Sequence, residues 1–151
     1  MGRHPGGPEN SRQASAAVAD PAAVTDTHAL LFHAAGSRRL GAAARALFAA
    51  AEARRGLIYV PVAVVWEVTL LSRGGRVDLR RPVRAFFDDL FSNPSYQAHA
   101  LETGQVLDAA ELTALRDPFD ALICAAAIDL SLPLITRDTT IVGAGRVKTT
   151  W

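Results

Sequence analysis

The run Ala121–Leu132 is an almost unbroken apolar stretch of helical character, and acids frame it. Asp117 and Asp120 stand before it, and Asp138 follows a second apolar burst, LPLIT. A helix that is apolar nearly all round has to be covered nearly all round. A carboxylate taken out of water without a partner is costly. These acids are therefore either ordinary caps and loop residues or neighbours of a shared cation, and the rest of the chain has to decide between the two.

Short apolar strands alternate with helical stretches from Ala23 onward. AVTD ends a strand at Asp26, HALLFHAAG reads as a helix stopped by Gly36, and LGAAARALFAAAEARRG as a longer one stopped by Gly56. LIYV (57–60) is a second strand, after which Pro61 opens the helix PVAVVWEVTLLSRGG from a first-turn position. RPVRAFFDDLFS is a helix ending before Pro94, YQAHALE a third strand, and TGQVLDAAELTALR mostly helical. Asp117 caps a helix beginning at Pro118, LPLIT is a fourth strand, and RVKTTW a fifth at the sheet edge. This alternation predicts an α/β fold, a mostly parallel sheet with helices on both faces. Residues 1–22, rich in Gly, Pro, Ser and Ala without periodicity, are expected to form a disordered tail ahead of one domain, 23–151.

Composition removes several function classes. With 151 residues, half of them hydrophobic and 21% charged, the chain suits one globular domain. Its apolar runs are interrupted well short of the ~20 residues of a membrane span, and the N-terminus lacks a continuous apolar signal segment, so a cytoplasmic, membrane-free protein is expected. A single cysteine, Cys124, excludes a disulfide framework and a cysteine-based zinc site. The net charge of +1 gives no general attraction to nucleic acid. Every basic residue except Lys148 is Arg, however, several of them clustered, and arginine is suited to bidentate phosphate contact.

Asp26 and Asp138 each follow a strand, and in open α/β sheets sites form at the carboxyl ends of strands. If those two strands are parallel neighbours, both carboxylates reach one edge. Taken singly, either residue reads as a helix cap. Glu67 lies on the apolar stripe of its helix with Ala63, Val64 and Leu71, which directs it toward the core or its rim; a buried Glu–Arg pair is the plainer account. Asp120 shares a helix face with Ile123, Cys124 and Ala127, whereas Asp117 is the more convincing cap. Carboxylates gathered at one place repel unless a cation is present, and oxygen ligands without Cys or clustered His suit Mg²⁺ or Mn²⁺. An ion held this way is suited to phosphodiester hydrolysis.

The segments VTDTHALLF, VPVAVVWEVTLLSRGGRVDL and RDPFDALICAAAIDLSLPLITRD, in this order, resemble a PIN-domain ribonuclease, with the VapC-like toxins of type II toxin–antitoxin pairs as the nearest branch. The resemblance runs from about Ala23 to the end. It implies an αβα sandwich around a mostly parallel sheet, Mg²⁺ or Mn²⁺ as cofactor, endonucleolytic cleavage of RNA, a cognate antitoxin as partner, and a homodimer. It further implies metal-binding and catalytic roles for Asp26, Glu67, Asp120 and Asp138, a lesser part for Asp117, and for Thr136 a hydroxyl that orients Asp138. His28, which follows Asp-Thr, reads as a rim or structural residue. One departure is that Val-Thr-Leu-Leu-Ser follows the Trp-Glu pair where such proteins often carry a Lys or Arg. A phosphorylated receiver module, another acidic-pocket α/β class, is excluded: the one Lys lies too close to the C-terminus, and no paired acids follow the first strand. The rival reading is a PIN-fold RNA- or protein-binding module without cleavage. Phe86, Phe87, Leu90 and Phe91 form a broad apolar stripe expected to border the antitoxin groove, while Trp66 and Phe32 are expected in the core.

Overall fold

A computed structural model describes residues 20–151; of the expected N-terminal tail, residues 1–19 lie outside the described part. The chain builds β1 (Ala22–Thr25), α1 (Thr27–Ala34), α2 (Ala42–Glu52), β2 (Leu57–Pro61), α3 (Val62–Arg73) and α4 (Val83–Ser92). It continues through β3 (Tyr96–His99), α5 (Thr103–Glu111), α6 (Pro118–Leu130), β4 (Leu134–Ile135), α7 (Thr139–Ala144) and β5 (Thr149–Thr150).

The strands form one five-stranded, fully parallel sheet in the order β3-β2-β1-β4-β5, so the expected architecture is the observed one. After β1 the chain moves outward through β2 and β3, then returns to add β4 and β5 on the other side of β1. The direction of winding therefore reverses between β1 and β4, where Val24 pairs with Leu134 and Thr25 with Ile135. A reversal of this kind opens a crevice at the carboxyl ends of the two strands.

The core is built on Val24, Leu30, Phe48, Ile58, Val64, Ile123, Leu134 and Ile141, all at most 1% exposed. Each contributes on the order of 2 kcal/mol by leaving water. Helix α6 is covered on most of its surface: Ala121 and Ile123 through Ala127 are buried, between α3, α5 and β1.

Several boundaries differ from expectation for local reasons. Helix α2 ends at Glu52, ahead of Gly56, because Arg54 takes the left-handed turn (φ 58°). Gly56 is needed instead for close approach, since a Cβ there would sit 3.1 Å from Ala50 Cβ. Pro61 closes β2 and precedes α3 rather than lying within its first turn. Helix α5 stops at Glu111, and Leu112 and Leu115 are buried from a non-helical turn. Helix α7, six residues with a glycine inside, was not anticipated. Phe86 and Phe87 are each only 6% exposed, so the aromatic stripe of α4 faces the core rather than solvent. Its rings pack on one another, Phe86–Phe87 at 5.0 Å and Phe87–Phe91 at 5.9 Å. Trp66 departs in the opposite direction: it is 49% exposed, with the Arg73 guanidinium 5.6 Å over its ring.

Candidate active site

Three aspartates begin three helices at the carboxyl edge of the sheet. Asp26 Oδ1 accepts the Ala29 amide of α1 at 2.7 Å. Asp117 Oδ1 accepts the amides of Phe119 (2.8 Å) and Asp120 (3.1 Å) at the start of α6. Asp138 Oδ1 accepts those of Thr140 (2.9 Å) and Ile141 (3.0 Å) in α7. A short oxygen-bearing side chain is a natural helix cap, which is why the chain turns from strand to helix at Asp26 and Asp138 and from turn to helix at Asp117. For Asp26 and Asp138 the cap occupies Oδ1 and leaves Oδ2 without a cap contact.

Burial and mutual charge set the electrostatics. Burial lifts the Asp26 carboxyl above its usual range, although hydrogen bonds from the Thr136 hydroxyl and the Ala29 amide oppose the rise. Glu67, half-buried, is raised by burial, with Asp117 and Asp26 adding repulsion. The Thr27 hydroxyl is buried with no partner in hydrogen-bond geometry, yet lies near enough to Glu67 to favour its charged form slightly. Asp120 is raised as well: burial, then the charges of Asp117, Asp138, Glu67 and Asp26, push it up to about 7.

The sequence-predicted acids Asp26, Glu67, Asp120 and Asp138, together with Asp117, are thus brought within electrostatic reach of one another. No arginine or lysine forms an ion pair with any of them among the described residues, so the Glu–Arg account of Glu67 has no counterpart here. Nor, among those residues, do three His, Cys, Asp or Glu side chains close into a ready-made metal cage. An all-oxygen set that is close but open suits a small hard cation that takes one or two carboxylates and keeps much of its water. The donors therefore fit Mg²⁺ or Mn²⁺ and are unsuited to a dehydrated, fully enclosed ion.

Neighbouring residues refine the picture. Thr136 Oγ1 accepts the Asp138 amide at 3.1 Å, so the hydroxyl fixes the backbone of Asp138, while its effect on a carboxylate falls on Asp26. His28 is exposed in the first turn of α1 and favours the charged forms of Asp26 and Glu67, as a rim residue would. The Cys124 thiol is buried and pushed up to about 12, mainly by burial and then by Asp120, which leaves it inert as a nucleophile. Sequence reasoning missed the surroundings of Arg137: its guanidinium lies 5.1 Å from the Phe32 ring centre and 5.5 Å from that of Trp151. The tryptophan of the RVKTTW strand segment, Trp151, was the available signal.

Beside this edge, an open groove of about 1000 Å³ runs between α1, α4 and the segment before α4, with Leu31, Leu71, Leu79 and Leu90 among its apolar lining and Arg76, Arg80 and Asp89 among its charged lining.

The chain matches the family model described as PIN domain over residues 23–146. No curated protein matches it. Among solved structures it resembles VapBC2 from Rickettsia felis bound to a promoter DNA fragment, with TM-score 0.61 and 13% identity over 85% of this chain and 97% of that one. A toxin–antitoxin complex from Klebsiella pneumoniae gives TM-score 0.57 and 20% identity over 85% and 98%. FitAcB from Neisseria gonorrhoeae gives 0.58 and 17% over 85% and 96%. At these identities the likeness establishes the fold, and the family match covers most of the chain: the protein belongs to the PIN-domain family, whose members are generally nucleases.

Proposed function

We propose that this chain is a Mg²⁺- or Mn²⁺-dependent endoribonuclease and the toxin of a type II toxin–antitoxin pair. The observation that carries the nuclease reading is the state of Asp120. Four other carboxylates act on it, no cationic side chain pairs with it among the described residues, and its carboxyl is pushed up to about 7. A pocket so frustrated in isolation gains most from a divalent cation. Once bound, the cation neutralises charge on the phosphate and lowers the pKa of a coordinated water.

The protein's part is positional. Asp26 and Asp138, locked by their helix starts, would hold the ion through their remaining oxygens. Glu67 and Asp120 would complete the oxygen set from α3 and α6, facing the side from which a phosphodiester arrives. The N-terminal ends of α1 and α6 add positive potential toward the same point. Asp117 serves chiefly as the cap of α6.

The toxin reading is supported by the structural likeness to toxin–antitoxin complexes and by the groove beside the site. Its mixed apolar and charged lining suits an amphipathic antitoxin segment. Helix α4 borders this groove through Phe86, Asp89 and Leu90. Phe87 is packed in the core, whereas Leu90 lines the groove, so Leu90→Arg is the variant that tests the contact. A homodimer draws support from α5, where Val106 is 46% and Leu107 63% exposed.

RNA incubated with the purified chain should be cut in Mn²⁺ or Mg²⁺ and spared in EDTA. Cleavage undiminished by chelator would refute the metal mechanism. Metal-responsive RNA binding without any cleavage would favour the binding-module reading.

A further inference from the structure

We propose that Arg137, Trp151 and Phe32 form a nucleobase-and-phosphate subsite for single-stranded RNA beside the acidic pocket. The proposal builds on the nuclease reading by assigning residues that would receive the strand.

The placement follows from the sheet. Arg137 immediately precedes Asp138 at the end of β4. Trp151 follows Thr150, whose carbonyl accepts the Thr136 amide at 3.1 Å, so the indole emerges at the same carboxyl edge as the acids. Phe32 lies one helical turn after His28 on α1, with ring centres 6.2 Å apart. Phe32 and Trp151 meet edge to face at 6.2 Å, and neither ring is fully buried.

The charges are arranged in an unusual way. Arg137 adjoins Asp138 in the chain, yet among the described residues it makes no ion pair with that or any other carboxylate. Its guanidinium lies over the two rings, and Arg39 approaches Phe32 from 5.9 Å. An exposed arginine without an ion-pair partner among the described residues retains its donors for a phosphate, and the partly exposed surface of the two rings beside it is where a base would stack. Aromatic platforms flanked by arginine are the general means of holding a single strand without sequence preference. The indole is also seated firmly: a Cβ at Gly41 would lie 2.4 Å from Trp151 Cδ1, so the glycine is what lets the ring dock.

The sequence holds two tryptophans, so Trp66→Phe leaves Trp151 as the sole indole emitter. The test uses the full chain with Trp66→Phe and Asp120→Asn, the second change preventing turnover and removing a like charge. The probes are a short oligoadenylate and a ribose-phosphate oligomer of equal length without bases. Oligoadenylate should quench Trp151 emission, and the base-free oligomer should bind more weakly without quenching. Adding Arg137→Gln should weaken oligoadenylate binding about tenfold and lower the salt dependence by about 0.7 in log–log slope. In the otherwise wild-type enzyme Arg137→Gln should raise KM and leave kcat nearly unchanged.

Unchanged Trp151 emission on adding oligoadenylate, or undiminished binding after Arg137→Gln, overturns the subsite. Emission that responds instead to a bound protein partner alone overturns it too. Quenching retained in a chain that never cuts RNA would remove the nuclease reading and leave the subsite standing. Normal cleavage with silent Trp151 emission would do the reverse.

Discussion

Asp117 Oδ1 accepts the backbone amide of Asp120 at 3.1 Å, so the cap of α6 and the acid facing the pocket are joined through the helix start. On the proposed reading the two residues have separable roles. Asp120→Asn removes a ligand charge while keeping shape and should reduce RNA cleavage by at least a hundredfold, as should Asp26→Asn. Asp117→Asn should be mild, within about 1 kcal/mol in stability, because asparagine caps helices nearly as well. Equal damage from Asp117→Asn and Asp120→Asn in a cleavage assay would show the assignment to be wrong.

Stability of the metal-free protein should decrease as pH rises between about 4 and 7. Asp120 is raised from 3.8 to about 7 on folding, so over that interval the folded state binds more protons than the unfolded one. The raised Asp26 and Glu67 carboxyls act with the same sign. Mg²⁺ requires the deprotonated acids, so the melting shift it produces should grow from pH 5 to pH 8. Thermal melts in EDTA and in Mg²⁺ across that range would test both trends; a metal-free melt that climbs with pH contradicts the first.

Glu67→Gln should raise the melting temperature in EDTA by a few degrees, since it removes a like charge from a crowded site. In Mg²⁺ the gain should disappear along with cleavage. A clear loss of stability in EDTA would place Glu67 in a structural pair.

A second charged network should respond with the opposite sign. The Tyr96 hydroxyl donates to Glu52 Oε1 at 2.7 Å, and His33 Nε2 lies 2.9 Å from the same oxygen. Burial alone would raise Glu52, but these two partners outweigh it and hold its carboxyl below the usual 4.5. Its contribution is present above that value and fades as pH falls through the lower folded value. Tyr96→Phe should cost about 1 kcal/mol at neutral pH and progressively less in acid. A constant cost in denaturant titrations from pH 7 to pH 3 would mean the hydroxyl serves only packing.

Local chemistry was readable wherever one residue does one local job. Asp117 before Pro118 marks a helix start in the sequence and is one in the structure. Asp26 and Asp138 follow strands as read, and the condition that their strands be parallel neighbours is met by β1 and β4. The inward bias of Glu67 was visible from Ala63 and Val64, both of which are buried. The same geometry should have turned Trp66 outward, since adjacent helix positions are roughly 100° apart; hydrophobicity outweighed periodicity in placing it in the core. Phe87 failed for another reason: an apolar stripe does not say whether its cover comes from the same chain or from a partner. Helix α7 left little signal, because six residues containing a glycine and β-branched side chains carry no helical period.

The helix starts at Asp26 and Asp138 give the pocket its shape before any cation arrives. One oxygen of each side chain is held by backbone amides, so on the proposed reading loss of a cation would leave both helix starts capped and its return would require no ordering of them. A site assembled in this way carries no latch of its own among the described residues. If it is toxic to the cell that makes it, silence has to be imposed from outside, by a molecule occupying the groove or covering the edge of the sheet, and activity resumes as soon as that cover is lost.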